Sequence, residues 1–377
     1  MGIRCFMCKK YLVILFFYLF SHCSASAASV ESLKVIFVNP GHSDKNTTGS
    51  FWANVSLFMQ SAADDLNIEL ITIYGERNHV LTKSLADEVV THSPDYVILV
   101  NEKGTGLNLV KALAPYHIPI FMLLNTFNTQ EMATLSSVEK ATLIGSLIPN
   151  NKAAGENLAN DLFNLYLKND PIRNIKKQIN LLALQGDYKT PAAMHRAAGL
   201  ENFLRKNAIV TTVDSTVANW SKQQAYRKVR GILQRKHIDI IWAANDAMAY
   251  GAKQAVKEAD LNYRVVIGGV NWDIDEPLTT IDVSYGGHVT LGAFALVMLH
   301  DIERKLIIPR KKHRVVDIFE SSQGAYYLPF KQNLIKQTLA DYDFFDFSEE
   351  HETSYLFSLK NLLNTRSQAD PQIKTVK

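Results

Sequence analysis

Cysteine is scarce: Cys5, Cys8 and Cys23 are the only three in 377 residues. All precede a pattern that reads as a secretory leader. Arg4, Lys9 and Lys10 form a basic segment, Tyr11 to Phe20 is an unbroken apolar run, and Ala25-Ser26-Ala27 is a small-residue cleavage signal. The apolar run is half the roughly 20 residues that a membrane-spanning helix needs. His22 stands before Cys23, where lipoprotein processing expects a small residue. Cleavage after Ala27 therefore leaves a chain without cysteine. That excludes disulfides, thiolate metal sites and a cysteine nucleophile, and it suits an oxidising compartment, here the periplasm.

Charge of one sign is also lacking. Losing the three leader cations lowers Lys and Arg from 40 to 37, equal to the 37 Asp and Glu. No basic surface is expected, and nucleic acid is not expected as a partner. Missing too are the phosphate-binding loop, the zinc helix and the nucleophile elbow. Gly104-Thr105-Gly106 lacks the rest of a dinucleotide fingerprint. Asp246, Asp273 and Asp275 can be read as an acid/base set, but capping or surface duty is the plainer role. No cofactor and no metal is expected, and the chain reads as a binding protein rather than an enzyme.

What is present is a rhythm. Short apolar runs end near Val38, Ile73, Val100 and Leu124, separated by helical patterns such as Phe51 to Leu66 and Leu81 to His92. Such alternation indicates a parallel sheet covered on both faces. The rhythm restarts with a helix over Lys152 to Leu167 and strands at Ile179 to Leu184, Ile209 to Val213, Ile238 to Ala243 and Val265 to Gly269. The expected fold class is α/β: two doubly wound parallel-sheet lobes joined by a hinge. The leader would occupy 1–27, the first lobe 33–144 plus 286–312, the second 145–285 plus 313–330, and a C-terminal extension 331–377. The extension contains an acidic, aromatic stretch from Asp341 to Glu350, a short helix expected over Thr353 to Leu363, and a polar end.

Several stretches resemble one family. Gly49-Ser50-Phe51-Trp52 looks like its aromatic pair after the first strand, and Ile118-Pro119-Ile120 like its I-P-V strand. Ala192 to Arg196 is similar to a segment carrying a ligand arginine. Ala244 to Ala252 (ANDAMAYGA) is close to N-D-x-M-A-x-G-A, and Gly268 to Asn271 stands in the place of V-G-F-D. The chain thus resembles the type I periplasmic binding proteins, particularly the ribose/galactose group and the autoinducer-2 receptor, from about Leu33 to Leu328. The resemblance implies two lobes, three hinge crossings and a small polar, sugar-like ligand held between them.

The strand pattern itself puts Asn101, Asn125, Asn245 and Asn271 directly after apolar strands, where open α/β sheets bind ligands. Each amide offers both donor and acceptor, which suits hydroxyl groups. Phe51, Trp52 and Trp220 can stack on a sugar ring, and Arg196 can donate a charged fork. Tyr285 or His288, in Ser284 to His288, completes the pocket in this reading. Each residue also has a plainer role: core filling for the aromatics, a helix cap for Asn245, an internal ion pair for Arg196, and packing for His288. Asn271 stands where sugar binders of the family often carry aspartate, and Asn125 matches the autoinducer-2 receptor. Fewer carboxylates count against ribose and leave room for an anionic or carbonyl group.

Two functions share this chemistry. One is a monomeric solute-binding protein that delivers ligand to an inner-membrane permease for ABC-type import. The other is a receptor that presents its closed form to a membrane sensor kinase or similar transducer. A secreted hydrolase is the third reading, and the missing catalytic motifs count against it.

Overall fold

A computed structural model describes residues 32–43, 48–169, 178–273, 280–307, 312–336 and 338–369. The expected leader, Asp275 and the polar C-terminal end lie outside these residues.

In chain order the first elements are β1 (Leu33–Asn39), α1 (Phe51–Asp65), β2 (Ile68–Tyr74), α2 (Thr82–Thr91), β3 (Tyr96–Leu99), α3 (Thr105–Leu113) and β4 (Ile120–Leu123). Next come α4 (Thr129–Ala133), α5 (Ser137–Thr142) and β5 (Leu143–Pro149). The sequence pattern did not announce α4 and α5. Each is a short helix started by a reciprocal capping box, Asn128 with Glu131 and Ser136 with Glu139.

The second lobe is built from α6 (Asn151–Asn169), β6 (Ile179–Gln185), α7 (Pro191–Lys206), β7 (Val210–Val217), α8 (Lys222–Leu233), β8 (Ile240–Ala243), α9 (Asp246–Glu258), β9 (Val266–Val270) and β10 (Val283–Gly286). Then follow α10 (Leu291–Glu303), β11 (His313–Val316), β12 (Glu320–Ser321), α11 (Tyr327–Ile335) and α12 (Leu359–Ala369).

Two six-stranded sheets result, ordered β11-β5-β4-β3-β1-β2 and β12-β10-β9-β8-β6-β7. All pairings are parallel except β10 with β12. The two-lobed architecture is the expected one, but its boundaries differ. β5, placed at the start of the second lobe by the sequence rhythm, pairs with β4 in the first sheet. β11, assigned to the second lobe by sequence, pairs with β5. The crossings therefore fall after Pro149, around Gly286 to His288, and between Val316 and Glu320. The first and third run side by side, tied by Asn150 N–H to Val316 O at 2.9 Å and Asn150 Nδ2 to Asp317 Oδ1 at 2.7 Å. At the second crossing Gly287 has φ +98°, and a Cβ there would sit 2.4 Å from Leu359 Cδ1. Only glycine fits both that backbone and that space.

Alternation along β1 explains the first lobe's core. Val35 and Phe37 face α1 and α10, while Ile36 and Val38 face α2 and α3. The first layer is completed by α11 and the C-terminal extension: Phe330, Leu334, Leu339, Tyr342, Phe344, Phe347, Leu359 and Leu362 are buried in it. The extension is thus part of the first lobe's core. Its last helix starts at Leu359, later than the pattern over 353–363 suggested. The second lobe has its own cluster around Leu181, Leu184, Phe203, Ile241, Trp242 and Ile267.

Candidate functional site

A cavity of about 60 Å³ lies between the carboxyl ends of both sheets. Of the sequence-derived candidates, Phe51, Trp52, Asn125, Arg196, Trp220, Asn245, Asn271 and His288 line it. The lobes meet across it. Asn125 Oδ1 accepts from Ala192 N–H at 3.0 Å, and Thr190 Oγ accepts from Lys103 N–H at 3.2 Å. Ser50 Oγ donates to Asp273 Oδ1 at 3.2 Å, and Asn245 Nδ2 reaches Thr48 O at 3.4 Å.

Arg196, on the first turns of α7, is 4 % exposed. Its Nε donates to Asn151 Oδ1 at 2.9 Å, Nη1 to Ala244 O at 2.6 Å and Nη2 to His288 Nε2 at 3.2 Å. The guanidinium lies over Phe319 at 5.6 Å and near the Trp220 ring at 6.0 Å. Burial lowers its pKa to about 10, opposed by Asp246, Glu102 and Asp273. Arginine therefore remains charged at neutral pH. His288 is buried, stacked on Phe51 at 4.6 Å and packed on Phe319 at 4.4 Å. Burial, and then the Arg196 charge, hold its pKa well below 6.5, so it is neutral.

The remaining candidates at the cavity are fixed by their frames. Asn245 caps α9: its Oδ1 accepts from Met248 N–H at 3.0 Å and its Nδ2 donates to Trp220 O at 3.2 Å. Capping and cavity lining are thus both served. Trp220 Nε1 donates to Asp187 Oδ2 at 2.8 Å. The bonds from Thr190, Trp220 and Lys189 outweigh burial and hold the Asp187 carboxyl below its usual range. Phe51 and Trp52 meet edge to face at 5.0 Å, and Trp52 also belongs to the first lobe's core. Leu124, Trp220, Asn271 and Trp272 have φ of 63°, 62°, 141° and 60°. Left-handed non-glycine backbone gathered at strand ends is a feature of sites held by their surroundings.

Two candidates do not line the cavity. Asn101 turns its Nδ2 to Thr126 O at 3.3 Å and to the Glu131 carboxylate, packed against Gly106. Tyr285 sends its hydroxyl to Asp161 Oδ2 at 2.8 Å on α6, and burial with that carboxylate raises its pKa. Strand alternation puts Tyr285 on the face of β10 that packs on α6, while Ser284 on the other face bonds Asp246.

Lining residues that the sequence had not singled out include Arg77, Glu102, Asn151 and Thr190. Arg77 Nη2 and Glu102 Oε1 form a buried ion pair at 2.6 Å. Burial raises the Glu102 pKa, with Arg77 opposing. All four follow strands, after β2, β3, β5 and β6. The same strand-end rule would have found them had it been applied to every polar residue after a strand. Asp246, one of the carboxylates considered for acid/base work, lies behind the cavity. It accepts from Ser284 Oγ at 2.7 Å and Asp273 N–H at 3.0 Å. Burial pushes its pKa up to about 7. Among the described residues no group of three or more His, Cys, Asp or Glu is placed to hold a metal ion.

Residues 41–275 match a family model described as a periplasmic binding protein domain. A xylitol-binding protein of Mycolicibacterium smegmatis is 24% identical over 56% of the chain and 55% of its own length. The fructose import binding protein FruE of Bifidobacterium longum is 26% identical over 55% of the chain and 61% of its own length. The matches thus span little more than half of these curated relatives. A solved periplasmic sugar-binding protein from Pseudomonas fluorescens is 28% identical, superposes with a TM-score of 0.74, and is covered over 99% of its length by 88% of this chain.

Proposed function

The chain belongs to the periplasmic binding protein family, and from that premise we propose that it captures a small sugar-like ligand between its lobes for ABC-type import. The observation that carries this is the cavity itself. Aromatic faces from Phe51, Trp52 and Trp220 and polar groups from Arg196, Asn245 and Asn271 converge there from two separate sheets. Aromatic walls with a few fixed polar groups suit a ring that is apolar on its faces and polar at its edge. Family membership implies the periplasm, and an inner-membrane permease is the partner that import requires. The chain acts as a monomeric binding protein, not as an enzyme.

Closure follows from the geometry. A small ligand that touches Phe51 in one lobe and Arg196 in the other does so only when the lobes meet. Such differential contact shifts an open-to-closed equilibrium. A thermal-shift screen of sugars and polyols, followed by small-angle scattering with the best responder, tests the reading. Stabilisation and a smaller radius of gyration are expected. An unchanged radius at saturation would remove closure from the mechanism.

One observation favours a second reading, presentation of the closed form to a membrane sensor. Asn271 lines the cavity, and the next residue, Trp272, packs against Tyr327 and Phe330 of α11 with both ring centroids at 5.3 Å. Helix α11, which leads into the extension, therefore touches the chain one residue from the cavity lining.

A further inference from the structure

The amides at the cavity do not offer balanced hydrogen bonding. Three of their carbonyl oxygens are consumed by obligate donors of the frame. Asn125 Oδ1 takes Ala192 N–H, Asn151 Oδ1 takes Arg196 Nε–H, and Asn245 Oδ1 takes Met248 N–H. Since each partner can only donate, these amide orientations are fixed. What Asn125 leaves for the cavity is its NH₂ group.

Arg196 has five N–H donors, and three are engaged with the neutral acceptors Asn151, Ala244 and His288. Two remain. His288 must accept at Nε2, because arginine cannot, so its neutral ring carries the proton on Nδ1. That Nδ1 is buried and has no partner. Among the described lining residues, the side-chain oxygens that accept from no frame donor are Glu102 Oε2, Asn271 Oδ1 and the Thr48 hydroxyl. Arg77 already neutralises Glu102. Arg196 is bonded directly to no carboxylate. The helix N-termini of α1, α6, α7 and α9 also end at the cavity, through Phe51, Asn151, Ala192 and Asn245, and each adds partial positive charge there.

We propose that the ligand of this cleft is a sugar acid of monosaccharide size, its carboxylate received by Arg196. This rests on the sugar-binding reading of the same site and goes further by assigning the charge. A neutral polyol brings a proton with every hydroxyl and would strand several of them against donors. A carboxylate accepts at both oxygens and donates nothing, so it uses the two spare Arg196 donors and leaves no proton without an acceptor. The hydroxyls at the other end of the ligand have Asn271, Glu102 and Thr48 as acceptors.

The test uses matched pairs on the purified chain, by thermal shift and calorimetry: D-galacturonate against D-galactose, and D-gluconate against D-glucose, with D-fructose and xylitol as further neutral probes. One acid is expected to bind at least about tenfold more tightly than its neutral partner, the scale of one charge-assisted hydrogen bond. The ring acid and the open-chain acid separate uronates from aldonates. Arg196→Gln should erase the preference, and Arg196→Lys should retain part of it. Neutral sugars binding as tightly as the acids would overturn the inference and leave the sugar-binding function standing. Failure of every probe would overturn both.

Discussion

The two lobes share a topology but are held together differently. The first lobe's core is stitched from distant pieces of chain. Its strands end at Val316, yet Phe330 of α11 and Phe344, Phe347 and Leu362 of the extension complete the layer against α1 and α10. Phe58 of α1 stacks on Phe330 at 5.5 Å, and Asp65 accepts from Phe344 N–H at 2.8 Å. The second lobe's core, by contrast, is made almost wholly within residues 151–286. Beyond that span it takes Phe319 and the two-residue β12, and its site carries the fixed polar groups: Arg196 with three bonds, Trp220 on Asp187, Asn245 on α9. The first lobe contributes ring faces, groups that bond across to the second lobe and a neutralised ion pair. Stability by long-range closure in one lobe and rigid polar chemistry in the other is the division that this comparison teaches.

The sharpest way to break it is Phe344→Ala. That ring is fully buried between the extension and the first lobe, and removing it should cost about 3–5 kcal/mol. Urea denaturation should show the loss, with native hydrogen-exchange protection of β6 and β8 outlasting that of β1 and β4. Equal loss of protection in both lobes would mean that their cores are not separable.

Arg196→Met tests the other side. It keeps the packing on Phe319 but removes every charged donor, each worth about 1.5–3 kcal/mol. Titration calorimetry with the best ligand should show affinity lower by tenfold or more, with the first lobe's protection unchanged. Unaltered affinity would mean that the arginine only braces the lobe.

Next in size is a pH effect confined to the second lobe. The Asp246 carboxyl titrates at about 7 in the folded chain against 3.8 for a free group. Between those values the folded state holds the extra proton, so stability contributed by this group is present at low pH and is lost as pH rises towards 7. Asp246→Asn should remove that loss and stabilise the protein at pH 8 by on the order of 2 kcal/mol. His288 works in the opposite direction. Its folded pKa lies well below 6.5, so the unfolded chain takes up the proton first and stability falls as pH drops below about 6.5. The variant should therefore show only the acid-side decline in chemical denaturation from pH 5 to 8.

The smallest expected change joins the lobes. Thr190→Val deletes the acceptor for Lys103 N–H, a bond worth about 1 kcal/mol. Scattering curves of the ligand-free variant should shift towards the open form. An identical curve would assign the latch to the Asn125, Ser50 and Asn245 contacts instead.

Much of this molecule was legible as sequence. Val35 to Val38, Ile120 to Leu123 and Ile240 to Ala243 are strands because branched apolar runs bounded by turns have few other stable arrangements. The strand-end rule then placed Asn125, Asn245 and Asn271 at the cavity, because a parallel sheet gathers its carboxyl ends on one side. Pairing across long separations was not legible. Nothing local in Leu143 to Pro149 says that its neighbours are β4 and β11, or that the acidic, aromatic stretch from Asp341 to Glu350 covers a helix nearly 300 residues earlier. Side-chain direction was decided late as well. Tyr285 and Asn101 stand at the right strand ends but turn to Asp161 and Glu131. Sequence determined the elements and the side of the sheets that bears function, since both follow from periodicity. Tertiary structure decided which acceptors remain free, because that depends on which frame donors have already claimed them.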